Sequence, residues 1–432
     1  MHTTTAGRRV AVAVVVLAVV GGCASKAPRS GVATESSVVA SESPAVPSSV
    51  SASSSQPPVG ATAVALAHDH WSALPPTPLA ARTQMAGAWT GHQFLVWGGT
   101  GGANRDQVFG DGAAYDPATK TWTTLPAAPI SARSSMASVW TGSRFFIWGG
   151  ATQLTDSAPR TAADGAVYDP AARTWRKLPA APLSARKYAQ AFWLDGKVIV
   201  LGGQPAVTSA TLESNTDIAM FDPATNTWSK AIAMPTKKDE SVLAIVAAAT
   251  DDRLYVWQEW AHTIDHGGST ETSFGIEFSV FDPATSTWTD DVPLAIAPAG
   301  IGSALWTGNS IYVPDTYAWC GDCAGPAHLD GPGHLLDPRT NTWTTMPAGP
   351  VDSGQPSVLW TGGALLAFNP TTETSGPNGN HFRGEAAVWD PATNAWTSLP
   401  SAPSADSEVV AVWANNQLLV WGVNTGGLRF GP

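Results

Sequence analysis

Arg82-Thr-Gln-Met-Ala-Gly-Ala-Trp89-Thr-Gly91, then Phe94-Leu-Val-Trp97-Gly98-Gly99, then Asp111-Gly-Ala-Ala-Tyr115-Asp116-Pro117 and Trp122-Thr-Thr-Leu125-Pro126 form one unit of a repeat. The unit recurs with a period of about fifty residues from His68 onward. The Asp-Pro step returns at 116, 169, 222, 282, 337 and 390, and the Trp that follows it at 122, 175, 228, 288, 343 and 396. A further Trp-x-x-Leu-Pro stands at Trp71 to Pro75. First-strand segments end at Trp89, Trp140, Trp193, Ala249, Trp306, Trp360 and Trp413.

Each unit encodes four short strands. The first is rich in small residues, as a crowded central axis requires. Trp-Thr-Gly makes the first hairpin turn, the Gly taking a positive φ. Asp-Pro-Ala-Thr makes the last, with Pro fixing φ and the Asp side chain bonding back to turn amides. The Trp of the fourth strand is expected to pack on the next sheet. Four-stranded units repeated radially make an all-β propeller. The Trp71 segment has no strands before it, and the last copy, from about Val409 to Phe430, has no fourth strand. The first strand therefore completes the last blade, and seven blades are expected over 68–432.

Composition agrees. Of 432 residues only 13% are charged, while Gly (41) and Pro (34) are abundant, which suits short strands and turns and excludes helical bundles. The net charge of −11 gives no electrostatic ground for binding nucleic acid. Three Cys exclude a disulfide scaffold.

Residues 1–22 read as an export signal: Arg8-Arg9, an apolar run from Val10 to Val20, then Gly21-Gly22 before Cys23. This ending resembles the lipobox of bacterial lipoproteins, which implies a lipidated Cys23 anchoring the exported chain to the outer face of the cell membrane. Residues 23–67 are Ser-, Ala- and Pro-rich and are expected to form a disordered tether.

Gly98-Gly99 with Tyr115 and Trp122, Gly149-Gly150 with Tyr168 and Trp175, and Gly202-Gly203 with Phe221 and Trp228 resemble the kelch repeat. That resemblance implies a kelch-type propeller, a fold that serves as binding module, sugar mutarotase or oxidase. A galactose oxidase-like copper enzyme is disfavoured. Such enzymes join a Cys to a Tyr and take copper ligands from a domain after the propeller, whereas the Cys beyond residue 67 are confined to Cys320-Gly-Asp-Cys323.

The repeat breaks in the middle of the chain. Gln258-Glu259, Asp315-Thr316 and Asn369-Pro370 replace Gly-Gly, and the following segments lengthen. Trp260 and Trp319 fall outside the repeat and, with Tyr317, are candidate ligand-binding residues on loops. Arg82, Arg133 and Arg186 share one repeat position near the expected channel mouth, and an arc of three cations would suit a carboxylate. The alternative is that each bonds carbonyls or acids of its own loops. His262 and His266 are weak metal candidates, since a loop does not converge them and a third ligand, His328 or Asp330, would have to come from elsewhere. Cys320 and Cys323 are read as a small structural disulfide.

The reading is a surface-anchored, non-catalytic binding module for an extracytoplasmic protein or carbohydrate, monomeric and without cofactor. The alternative is a kelch-type carbohydrate mutarotase or epimerase. Cys23→Ala is expected to abolish metabolic labelling by a fatty-acid probe; undiminished labelling would exclude the lipobox.

Overall fold

The computed structural model describes Leu66 and residues 69–432, apart from 103–106, 154–159, 207–212, 267–269, 291, 293, 295–302, 315–332, 352–356, 377–378, 404–408 and 423–425, and without the side chains of 270 and 371–383. The signal segment, Cys23 and the tether lie outside the described residues.

Every named element is a β-strand. Among the described residues there are seven antiparallel sheets built on four consecutive strands, one of them with a short fifth, plus two small ribbons. The first sheet runs Ala86–Trp89, Phe94–Trp97, Gly112–Asp116, Thr121–Thr124. The innermost strands neighbour one another in a closed cycle: those starting at Ala86, Ala137, Gln190, Ser241, Leu305, Ser357 and Val409, and then Ala86 again. Small residues permit this approach. A Cβ on Gly87 would run into the side chain of Val410 in the seventh sheet.

The seventh sheet draws on both ends of the repeat region. Its strands are Val409–Ala414, Gln417–Gly422, Leu428–Gly431 and His70–Ala73. The last pairing runs His70 to Gly431 and Ala73 to Leu428.

Second strands are the most buried. Phe94–Trp97 and Phe145–Trp148 are buried at every position, because each lies within its sheet and between two neighbouring sheets. At the end of that strand Gly98 and Gly99 take φ of 71° and 105°. A Cβ on Gly99 would lie 2.6 Å from the Thr83 carbonyl, so the double Gly is a demand of backbone contact. The Asp-Pro turns form as the sequence requires: Asp116, Asp169 and Asp222 each accept the amide two residues on, at 2.8–2.9 Å.

The fourth-strand Trp packs on the preceding sheet, not on the next one. Trp122 meets Trp421 of the seventh sheet at 6.4 Å between ring centres, and Trp175 meets Trp97 of the first at 5.9 Å. Five of these indole N–H groups donate to the Pro carbonyl that ends the preceding sheet's fourth strand. Trp122 donates to Pro75 at 3.1 Å, Trp175 to Pro126 at 3.0 Å, Trp228 to Pro179 at 3.1 Å and Trp396 to Pro347 at 3.0 Å. Trp71 donates to Pro400 at 2.7 Å and closes the cycle. Trp288 and Trp343 find no acceptor among the described residues.

Truncating such a ring removes packing and leaves a cavity, so Trp175→Ala is expected to destabilise by roughly 3–5 kcal/mol. Trp175→Phe keeps most of the ring stacking and loses the hydrogen bond, with an expected smaller cost that includes about 1 kcal/mol for that bond. Denaturant unfolding of the two variants checks the order.

Candidate functional site

In the first three sheets the chain entering the first strand lies beside the end of the second, bridged at Thr83–Thr100, Ser134–Ala151 and Lys187–Gln204. The three arginines lie there, and the structure corrects their reading. Their side chains are 0% exposed. Arg82 donates through Nε to the Ala80 carbonyl at 2.9 Å and through Nη1 to the Gly98 carbonyl at 3.3 Å and Asp111 Oδ1 at 2.6 Å. Arg133 donates to the carbonyls of Ser131, Gly149 and Asp164 at 3.0–3.1 Å and pairs with the Asp164 carboxylate at 2.9 Å. Arg186 repeats the set with Ser184, Gly202 and Asp217. The guanidinium groups are consumed in clasping each sheet's own Gly-Gly and third strand, so they offer no open arc to a carboxylate ligand.

The acid of the clasp stands five residues before each Asp-Pro, at 111, 164 and 217. This partner was readable in the repeat and was missed. Burial opposes ionisation of Asp164, but Arg133 and Lys177 beside it outweigh that and hold its carboxyl below the usual value. Asp111 is lowered in the same way, with Arg82 outweighing burial.

Two residues after each Arg, the backbone turns left-handed at Gln84 (φ 53°), Ser135 (54°) and Tyr188 (58°), none of them Gly. Ser135 N–H donates to the Gln84 carbonyl at 2.9 Å and Tyr188 N–H to the Ser135 carbonyl at 2.8 Å. These bonds join adjacent sheets around the axis and stabilise a conformation that costs about 1 kcal/mol or more per residue. Sequence carries no mark of it.

The fourth sheet departs from the pattern. Val242 stands at the Arg position, Gln258 in place of the first Gly, and Glu277 at the position of the clasp acid. Its second and third strands, Leu254–Asp265 and Thr270–Asp282, have 12 and 13 residues against four and five in the first sheet. At about 3.3 Å per residue the hairpin extends some 25 Å further. The sixth sheet has a similar pair, Leu365–Gly376 and Gly379–Asp390.

The chain entering the fourth sheet is laid along this hairpin. Gln258 Nε2 donates to the Pro235 carbonyl at 2.9 Å, Lys237 pairs with Glu277, and His262 Nδ1 donates to the Asp239 carbonyl at 2.7 Å. Lys237 thus supplies from the connector the charge that Arg supplies elsewhere. Glu240 nearby has its carboxyl pushed up, first by burial and then by Glu277.

Trp260 lies in this hairpin, within a strand and not on a loop. It is opposite Gly275 and Val242, and a Cβ on Gly275 would collide with its indole. It is half-buried. Further out, Ile264 is 44% and Phe274 53% exposed, on opposite faces of the hairpin. The metal candidates do not converge. His262 gives one ring nitrogen to Asp239, and His266 Nε2 lies 3.4 Å from Glu271. Among the described residues no three His, Cys, Asp or Glu side chains gather. Trp319, Tyr317, Cys320, Cys323, His328 and Asp330 lie outside the described residues.

A family model described as KLHDC2/KLHL20/DRC7 Kelch-repeats domain matches residues 60–258. Over these residues the chain carries kelch repeats. It is 25% identical over 302 residues to the Kelch-like protein terF of Aspergillus terreus, covering 66% of this chain and 61% of that one. It is 34% identical over 148 residues to the human Kelch repeat and BTB domain-containing protein 13, covering 34% and 30%. The kelch chain thus spans less than two thirds of the curated relatives' length. The solved structure of YjhT aligns over 76% of this chain and all of its own, with 16% identity and a TM-score of 0.49.

The kelch clasps set an acid limit. Asp164 is held below its ordinary 3.8, so the pair's contribution is fully present above that value and is lost as pH falls through the lower folded one. Asp164→Asn is expected to be less stable than the parent at pH 7, with the gap closing as pH falls below 3.8. Arg133→Met leaves three carbonyls without their donor and Asp164 with Lys177 alone, and is expected to cost about 1–3 kcal/mol. Urea unfolding across pH checks both.

Proposed function

We propose that this kelch propeller is exported, held at the outer face of the cell membrane by lipidated Cys23, and binds a protein or glycan without catalysis. The ligand is taken on the face from which the hairpins of the fourth and sixth sheets project. The observation that carries the reading is the fourth-sheet hairpin, where Trp260 is half-buried near the base and, further out, Ile264 and Phe274 are the exposed large apolar side chains among the described residues. Aromatic side chains held outside the core on rigid strands are the usual anchors of recognition. The arginines that a mutarotase reading drew on are spent inside the scaffold.

The test uses the whole chain against a glycan array and against extracytoplasmic protein from the same cells, with binders then titrated. Trp260→Ala and Phe274→Ala are each expected to weaken binding by roughly 1–3 kcal/mol. Phe274→Ala, at an exposed position, is expected to leave thermal unfolding within a few degrees of the parent. A ligand whose affinity neither change alters would place binding elsewhere and overturn the assignment.

A further inference from the structure

On the opposite face, where the first and third hairpin turns of each sheet emerge, a cleft of about 430 Å³ opens between the fifth and sixth sheets. Its walls include Trp360 and Trp389, its base Met346, and its rim Asn309, Thr344 and Asn394. Trp389 and Met346 are buried, while the three rim residues are exposed.

The cleft differs in sequence from the equivalent interface elsewhere. Between the first two sheets the corresponding places belong to Ser143, Phe145 and Tyr168. Here they belong to Gly363, Leu365 and Trp389. Gly has no side chain and Leu is smaller than Phe, which removes bulk at this interface, while Trp in place of Tyr adds bulk beside it.

One amide of the rim is oriented. Asn394 Oδ1 accepts the Trp389 indole N–H at 3.2 Å, which leaves its NH2 end to offer. Asn309 is an exposed amide whose Oδ1 lies 3.0 Å from the Thr307 hydroxyl, which donates to the Ser310 carbonyl at 2.8 Å. No acidic or basic side chain is among the described lining residues. The site therefore presents part of the half-buried Trp360 indole, the amides of Asn309 and Asn394, and hydroxyls, with no charged side chain in its described lining to pair with a carboxylate or phosphate. Its volume is within the range of small-molecule sites.

The geometry points to a second binding site in this cleft, for a neutral sugar ring. The C–H face of a pyranose packs on indole, and its hydroxyl and ring oxygens accept from Asn309 and Asn394. This site is independent of the hairpin face.

The experiment is saturation-transfer NMR on the full chain with the methyl glycosides of glucose, galactose and N-acetylglucosamine, and with glucuronate. At least one neutral glycoside is expected to give transfer to its ring protons at millimolar concentration, and glucuronate no more than that. Asn309→Ala with Asn394→Gly removes both donors, the Gly retaining the positive φ of 51° at position 394. The double variant is expected to bind about tenfold more weakly. Its thermal unfolding is read in parallel, and Gly363→Ser, which adds a side chain to the lining of the cleft, is a second variant expected to weaken binding. Absence of transfer from all three neutral glycosides overturns the proposal. So does transfer abolished by Trp260→Ala but untouched by the cleft variants, or a clear preference for glucuronate.

Discussion

In five of the seven sheets one indole N–H ties the sheet to the one before it. The Trp of the fourth strand reaches back, stacks on the neighbour's aromatics and donates to the Pro carbonyl where that neighbour's outer strand ends. Each bond is modest alone, about 1 kcal/mol. Their weight comes from position, because they fix the spacing between sheets at the rim while small residues fix it at the axis. A wedge held at both radii has one angle, and the cycle closes only if every wedge keeps it. Trp71 on Pro400 is the last of these bonds, and it fixes the seam.

Within a sheet the corresponding device is the Arg clasp. In the first three sheets it holds the Gly-Gly turn and the start of the third strand to the beginning of the first. The fourth sheet has lost the Arg and both glycines, and its hairpin runs on as regular ladder. The two facts share a physical basis. A Gly-Gly step in left-handed conformation ends a strand, and Gln258-Glu259 does not. Kelch function is therefore best sought where the clasp is gone, since clasped connections are tied to the scaffold.

The parts of the fold that were legible in sequence are those with local stereochemical causes. Asp116-Pro117 makes its turn from its own atoms, Gly98-Gly99 answers a backbone clash, and the period of the Trp gives the order of sheets. The direction in which the Trp reaches was not legible, since stacking on either neighbour leaves the same periodicity. Arg82, Arg133 and Arg186 misled for a related reason. A cation repeated at one position looks alike whether it faces a ligand or a carbonyl, and only the distant acids at 111, 164 and 217 decide. Trp260 was rightly set apart from the repeat, but it was placed on a loop because strand length is a cooperative property of both partners. The left-handed Gln84, Ser135 and Tyr188 follow from hydrogen bonds between sheets, to which local propensity is blind.

The seam has a consequence for how the molecule comes to be. Trp71 and Pro400 are 329 residues apart, and the ladder from His70 to Gly431 spans more. The edge strand of the seventh sheet is made early and must wait for its partner until the last turn of the wheel has emerged. Until then the chain is an open arc with two bare sheet edges, the state in which β proteins most readily pair with one another. Closure of so long a loop adds little entropy cost over closure of a shorter one, because that cost grows only with the logarithm of length. Its burden is kinetic: the molecule gains its protection from neighbours in a single late event, on the far side of the membrane if the chain is exported.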